Sequence, residues 1–138
     1  MTGAPDHSVK VGDRLVDKTF PAISRHRLAL YCGASGDHNP IHVDTDFAKA
    51  AGFPDVFAHG MLAMAYLGQA LTDAGPPSMV RSFSTRFAAI TQLGTRLHCS
   101  GEIVETFDAQ GERRARLALT AKDEKGETKL AGEAVIAI

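Results

Sequence analysis

The sequence predicts an α+β fold in which an antiparallel sheet wraps around one very apolar helix. Three observations carry that expectation. Residues Gly60 to Asp73 are apolar on nearly every side, with Met61, Leu62, Ala63, Met64, Ala65, Leu67, Ala70 and Leu71 leaving almost no polar face, and a helix of that kind is a buried one. Downstream the hydrophobic period changes from that of a helix to that of a strand. Short turn-forming clusters separate the strand-like runs, so neighbouring strands run antiparallel. The simplest cover for such a helix is the sheet itself, which segregates the helices to one face.

The elements follow in order. Residues 1–10 are polar, contain Pro5 and read as a loose leader; with no apolar stretch they do not form a signal peptide. The domain proper is expected over residues 11–138. Val11 to Thr19 suits a short extended segment interrupted at Phe20-Pro21. Ser24 is placed to cap a helix whose apolar face carries Leu28, Tyr31, Cys32 and Ser35, and Gly36 is placed to end it. The stretch from Gly36 to His42 is expected to be irregular, because Pro40 breaks helices and biases Asn39 toward extended backbone. Asp44 to Ala51 suits a short helix stopped by Gly52 and Pro54. Gly75, Pro76 and Pro77 end the apolar helix. Ser82 to Ile90, Leu97 to Phe107, Arg114 to Lys122 and Leu130 to Ile138 suit strands, with turns at Asp108 to Gly111 and at Asp123 to Gly126. The alternation is clearest where Ala115, Leu117, Leu119 and Ala121 interleave with Arg114, Arg116, Ala118, Thr120 and Lys122.

Composition narrows the function. The chain has 138 residues, 44% hydrophobic, and 15 basic against 16 acidic residues for a formal net charge of −1. That is material for one domain with a real core, and the balance argues against broad nucleic-acid or membrane binding. No run approaches the roughly 18 apolar residues of a membrane span. Cys32 and Cys99 form neither a CxxC pair nor a disulfide framework and read as buried free thiols. The expectation is a cytoplasmic protein.

Polar residues with chemical capacity concentrate in Ser35-Gly36-Asp37-His38-Asn39-Pro40-Ile41-His42-Val43-Asp44. Several readings compete. Asp37, His38, His42, Asp44 and the later His59 are all metal-ligand types, but Pro40 argues against the helix that would bring His38 and His42 to one face. A solvated turn accounts for Asn, Pro, Asp and Gly without any chemistry. A nucleophilic triad of Ser35 or Cys32 with His42 and Asp37 lacks a GxSxG elbow. Because Ile41 and Val43 alternate with His42, part of the segment is expected to be packed, and a packed Asp and His close together are candidates for proton transfer. A second feature is Ala58-His59-Gly60-Met61-Leu62, where the buried helix begins. There the free backbone N–H of Gly60 is a candidate donor to a ligand oxygen, while His59 reads equally well as a capping or packing residue.

Tyr31 to Asp44 and Ala58 to Leu62 together resemble the signature of the MaoC-like, (R)-specific enoyl-CoA hydratase family, as do Arg86-Phe87 followed by a turn at Gly94. The resemblance runs from about residue 10 to the end. It implies a hot-dog fold, usually a dimer, and the reversible hydration of trans-2-enoyl thioesters to (R)-3-hydroxyacyl thioesters with no metal or other cofactor. By the match, Asp37 and His42 are the catalytic pair and Gly60 supplies the backbone donor to the thioester oxygen. Asn39 supports the site, Ser35, Gly36 and Pro40 shape it, and His59 is counted with these substrate-binding or site-shaping residues. His38 fills a variable position and takes no role. Gln92 stands where a proline is common in the family, a departure that leaves the catalytic residues untouched. The carrier is coenzyme A or acyl carrier protein; Arg81, Arg86, Arg96, Arg113, Arg114 and Arg116 are possible phosphate contacts, though exposed strand arginines are ordinarily a solvated face. Two other readings stand beside this one: a subunit of a heteromeric hot-dog complex that needs a partner chain, and a thioesterase on the same fold.

Overall fold

The computed structural model describes residues 9–138; most of the expected leader, residues 1–8, lies outside them. The order is β1 (Arg14–Thr19), α1 (Arg25–Ser35), α2 (Thr45–Ala50), α3 (Gly60–Asp73), β2 (Val80–Phe87), β3 (His98–Ala109), β4 (Glu112–Lys122) and β5 (Thr128–Ala137). One five-stranded sheet in the order β1-β3-β4-β5-β2 holds all the strands, every pair antiparallel.

The hairpins β3–β4 and β4–β5 form the expected meander. The first turns at Gln110-Gly111, both with positive φ, the backbone that matches the right-handed twist of paired strands. β2 departs from the meander. It does not pair with β3, the next strand in the chain, but crosses to the far edge and pairs with β5. Residues 88–97 make that crossing, and the Ala88 and Ala89 amides donate to the Lys129 carbonyl on the way.

The long helix α3 lies against the sheet. Leu62, Ala63, Leu67, Ala70 and Leu71 are buried in one core with Leu97, Ile103, Leu117, Leu119, Leu130 and Ile136. The expectation of burial all round does not hold: Met61, Ala65, Gln69 and Asp73, spaced four apart, stay exposed as one stripe, Met61 by 55%. Five strands wrap the helix on its other sides and run out before closing over this one. No helix among the described residues is long and apolar enough to cross a membrane.

Local chemistry fixes the helices that carry the site. Ser24 Oγ accepts from the Arg27 amide at 3.0 Å, and Gly36, in the left-handed region at φ 76°, donates to the Cys32 carbonyl at 2.9 Å. Asp44 caps α2 through the Phe47 amide. Asp55 ties these pieces together. Its carboxylate accepts from the Arg25 guanidinium, the Thr45 hydroxyl and the Val56 amide. The Arg25 hydrogen bonds, followed by the Val56 amide, hold its carboxyl at a pKa of about 2. One side chain thus joins the start of α1, the start of α2 and the approach to α3.

Candidate active site

The segment after α1 is built from nested side-chain turns. Ser35 Oγ donates to the Tyr31 carbonyl at 2.7 Å and accepts from the Asp37 amide at 3.1 Å. Asp37 Oδ1 accepts from the Asn39 amide at 3.2 Å, and Asn39 Oδ1 from the Ile41 amide at 3.1 Å. Pro40 then opens a single 3₁₀ turn, Pro40–His42, at the one helical position where its missing N–H costs nothing. The polar run is therefore irregular as expected, and its turns aim two side chains at each other.

His42 is buried, with 8% of its surface exposed. Its Nδ1 lies 2.8 Å from the Phe57 carbonyl. A carbonyl only accepts, so the hydrogen sits on Nδ1 and the lone pair on Nε2. Nε2 faces Asp37 Oδ2 at 3.8 Å, longer than a direct hydrogen bond and the right order for one bridging water. The Asp37 side chain is 52% exposed, so the pair is open to solvent on one side.

His59 lies behind the pair. It is 2% exposed, and its ring stacks on that of His42, with centroids 3.8 Å apart and planes 22° apart. Its Nε2–H donates to the Asp37 carbonyl at 3.2 Å, with Cys32 Sγ 3.5 Å away. Its Nδ1 is buried with no partner among the described residues. Burial, then the neighbouring His42, lowers its pKa below the ordinary histidine value, against a smaller opposing influence from Asp37. Tyr31 meets the His59 ring edge-on at 4.7 Å, and burial together with the Asp37 charge raises its phenol pKa.

His59 is also the residue before Gly60, the first residue of α3. Among the described residues the Gly60 N–H donates to no protein acceptor. Gly60 lines an apolar cavity of about 310 Å³ together with Phe57, Ala63, Phe87, Ile90 and Leu130. Asp37 and His42 are not part of that lining. Phe57 divides the two compartments, its carbonyl holding His42 and its ring meeting the His42 ring edge-on at 5.3 Å.

The competing readings of the polar run fare differently. Donor atoms of Asp37, His42 and His59 lie within 4.8 Å of one another. A metal ion takes an imidazole lone pair in the ring plane at about 2.0–2.1 Å, and two rings stacked face to face aim their nitrogens side by side rather than at one point. Asp44 is committed to capping α2. As for a nucleophile, Cys32 is buried behind His59, away from the solvent-facing side of the pair, and Ser35 Oγ is committed within its own turn. Sequence reasoning missed the Phe57 carbonyl, for which no side-chain signal exists, and the Asp55 brace, which brings Arg25 and Thr45 to Asp55 from 30 and 10 positions away. It noticed Cys32 and Tyr31 but had no means to place them around His59.

A sequence profile described as the MaoC like domain matches residues 8–125. The chain is 40% identical over 72 residues to a protein of Arabidopsis thaliana named peroxisomal enoyl-CoA hydratase 2, and 44% identical over 66 residues to 3-hydroxyacyl-thioester dehydratase X of Mycobacterium tuberculosis. These matches take in 50% and 48% of this chain and 23% of each relative, so the matched segments span only about a quarter of the length of those proteins. Among solved structures, the unliganded R-hydratase PhaJ1 of Pseudomonas aeruginosa superimposes with a TM-score of 0.83 at 29% identity, over 94% of this chain and 82% of that one. The fold is the hot-dog fold of those hydratases, and with most of its length matched by the profile, this chain belongs to the MaoC-like domain family.

Proposed function

We propose that this protein adds water across the double bond of a trans-2-enoyl thioester, and runs the reverse dehydration, with Asp37 and His42 as the catalytic pair. The observation that carries the reading is the 3.8 Å gap between His42 Nε2 and Asp37 Oδ2. In the tautomer set by Phe57 both atoms are acceptors. A water between them donates one hydrogen to each and turns its lone pairs outward, which orients a nucleophile. As the water oxygen bonds to C3, its proton passes to the pair. The electrons of the double bond move onto the thioester oxygen, and a proton returns from the pair to C2.

The developing negative oxygen needs a donor, and the Gly60 N–H at the positive end of α3 supplies one. The apolar cavity beside Gly60 suits the start of an acyl chain. Coenzyme A and acyl carrier protein present the same phosphopantetheine arm, and either carrier fits this reading. The relatives' names support the reaction class: one is called an enoyl-CoA hydratase, another a 3-hydroxyacyl-thioester dehydratase.

The working form is a dimer of this chain. Met61, Phe87 and Ile90 lie exposed on α3, at the end of β2 and on the following loop, and a second copy covers them. Two buried, unpaired cysteines suit the reducing cytoplasm.

The test is loss of the conjugated-thioester absorbance on mixing purified protein with crotonyl-CoA, longer enoyl-CoA thioesters and an enoyl-acyl-carrier-protein. Turnover of at least one substrate, abolished in Asp37 and His42 variants, is the expected result. No turnover of any of them by the chain alone, and turnover on adding a second hot-dog chain, supports the heteromeric reading instead.

A further inference from the structure

We propose that His59 is a positioning residue for the hydration: its ring holds Asp37 and His42 in one frame, and its backbone roots that frame at the start of α3. The inference rests on the reading of Asp37 and His42 as the catalytic pair, but the geometry behind it is independent of the reaction.

Three contacts define the frame. The Nε2–H of His59 donates to the Asp37 carbonyl at 3.2 Å, which fixes the backbone from which the catalytic carboxylate projects. The ring face lies on His42 at 3.8 Å, which leaves that imidazole no room to tip away from the Phe57 carbonyl. The His59 carbonyl accepts from the Leu62 amide at 3.0 Å in the first turn of α3, directly before Gly60. A single residue therefore touches both halves of the catalytic pair and directly precedes Gly60, which lines the cavity. A merely filling residue would need none of this polarity. A buried imidazole with one nitrogen unpaired costs free energy that an aliphatic side chain avoids, and the molecule carries that cost at 2% exposure.

The surroundings also decide its charge. The groups facing His59 are Cys32 Sγ and the Tyr31 ring from α1, and Asp37 and His42 from the loop. None offers an acceptor to Nδ1, so a second proton on the ring has nowhere to be stabilised, and His42 stacked above repels it. His59 works as a neutral ring.

Two substitutions separate the contacts. His59→Gln keeps an N–H close to the position of Nε2 and removes the stacking face; His59→Leu removes both. Expected for His59→Leu is a kcat about 10–100-fold below wild type, with KM within about threefold, because displacement of a catalytic group by a fraction of an ångström to an ångström acts on the reacting geometry. His59→Gln recovers part of that loss. Wild-type kcat in a folded His59→Leu protein overturns the proposal.

Imidazole ¹⁵N spectroscopy supplies a second readout that does not depend on turnover and applies to either variant, should one fail to fold. At pH 8 the wild type is expected to show His42 as the Nδ1–H tautomer and His59 as the Nε2–H tautomer. In the folded variant the His42 tautomer becomes mixed. A His42 signal unchanged by loss of His59, or a wild-type His59 in the Nδ1–H tautomer, overturns the proposal. A wild-type protein with these spectra but no activity on any enoyl thioester sinks the assigned reaction and leaves the frame standing.

Discussion

The Nδ1–H of His42 donates to the Phe57 carbonyl at 2.8 Å, and this one bond decides what the opposite ring nitrogen can do. With the hydrogen held on Nδ1, Nε2 presents a lone pair toward Asp37, and the two make a pair of acceptors for one water. Asp37→Asn replaces one acceptor by an amide that can also donate, and His42→Ala removes the other. Each is expected to lower kcat by about 10²–10⁴-fold, the usual contribution of general acid–base groups. Steady-state rates on the best enoyl thioester, with circular dichroism to confirm folding, check this. Among the described residues the side chain of Asn39 bonds only to the Ile41 amide in its own turn, so Asn39→Ala is expected to lose less than either.

Stability is expected to fall as the solution is acidified below neutral, and His59 is the reason. Its folded-state pKa lies below the ordinary value, chiefly through burial, whereas in the unfolded chain it titrates near ~6.5. Between those two values the unfolded state binds the extra proton and the folded state does not, so unfolding gains as pH drops. Above about 8 neither state is protonated and the slope from this residue vanishes. The carboxylates Asp55 and Glu112, held at about 2 by arginine hydrogen bonds, add their own loss only from about pH 4 downward. Melting temperatures between pH 5 and 8 are expected to decline on the acid side, and the decline is expected to shrink in His59→Gln.

How much of this was legible in the sequence depended on the range of the interactions. The bounds of α3 were readable residue for residue because its signals are local: a largely apolar run, a glycine at its start, and Gly75-Pro76-Pro77 after it. Asp37 and His42 were readable as a candidate pair because Ile41 and Val43 alternate with His42 and mark the segment as packed, and the turns that aim them use side chains within two residues. The partner strand of β2 was not readable, because nothing near residues 80–87 distinguishes β5 from β3. The stack of His59 on His42 was equally hidden. It forms across 17 positions of chain and depends on how α1, the Asp55 brace and α3 converge.

That hidden pairing of β2 with β5 hinges on Gly132. A Cβ built there would lie 2.0 Å from the Ser84 carbonyl oxygen and 2.8 Å from Thr85 Cα, both backbone atoms of β2. Neither can swing aside, so Gly132→Ala forces the strands apart. Overpacking of a fixed site costs typically 1–3 kcal/mol, and the upper part of that range, about 3 kcal/mol, is expected in urea unfolding. Because β2 ends at Phe87, which packs on Gly60 and lines the cavity, the same variant is expected to raise KM for long acyl chains more than for crotonyl-CoA.

Gly60 allows the role of a backbone N–H to be separated from the role of empty space. A Cβ at this position would meet the Phe87 ring at 3.2 Å. The contact is with the atoms of a side-chain ring rather than with backbone, and the ring is expected to give by the few tenths of an ångström required. Gly60→Ala therefore keeps the N–H and is expected to change stability by less than about 1 kcal/mol, since alanine is the better helix former. Gly60→Pro places the same Cβ against Phe87 but has no N–H. Proline is accepted at a first helical position, and His59, at φ −57° and ψ 134°, already has the extended backbone that a following proline demands. The two variants thus differ chiefly in one hydrogen. If that hydrogen binds the thioester oxygen as charge develops, Gly60→Pro falls about 10²–10³-fold in kcat, the measured scale for loss of one such donor in other enzymes, while Gly60→Ala falls about tenfold or less. Equal losses in both, with both folded, would assign the effect to crowding by Cβ and remove Gly60 from the catalytic group.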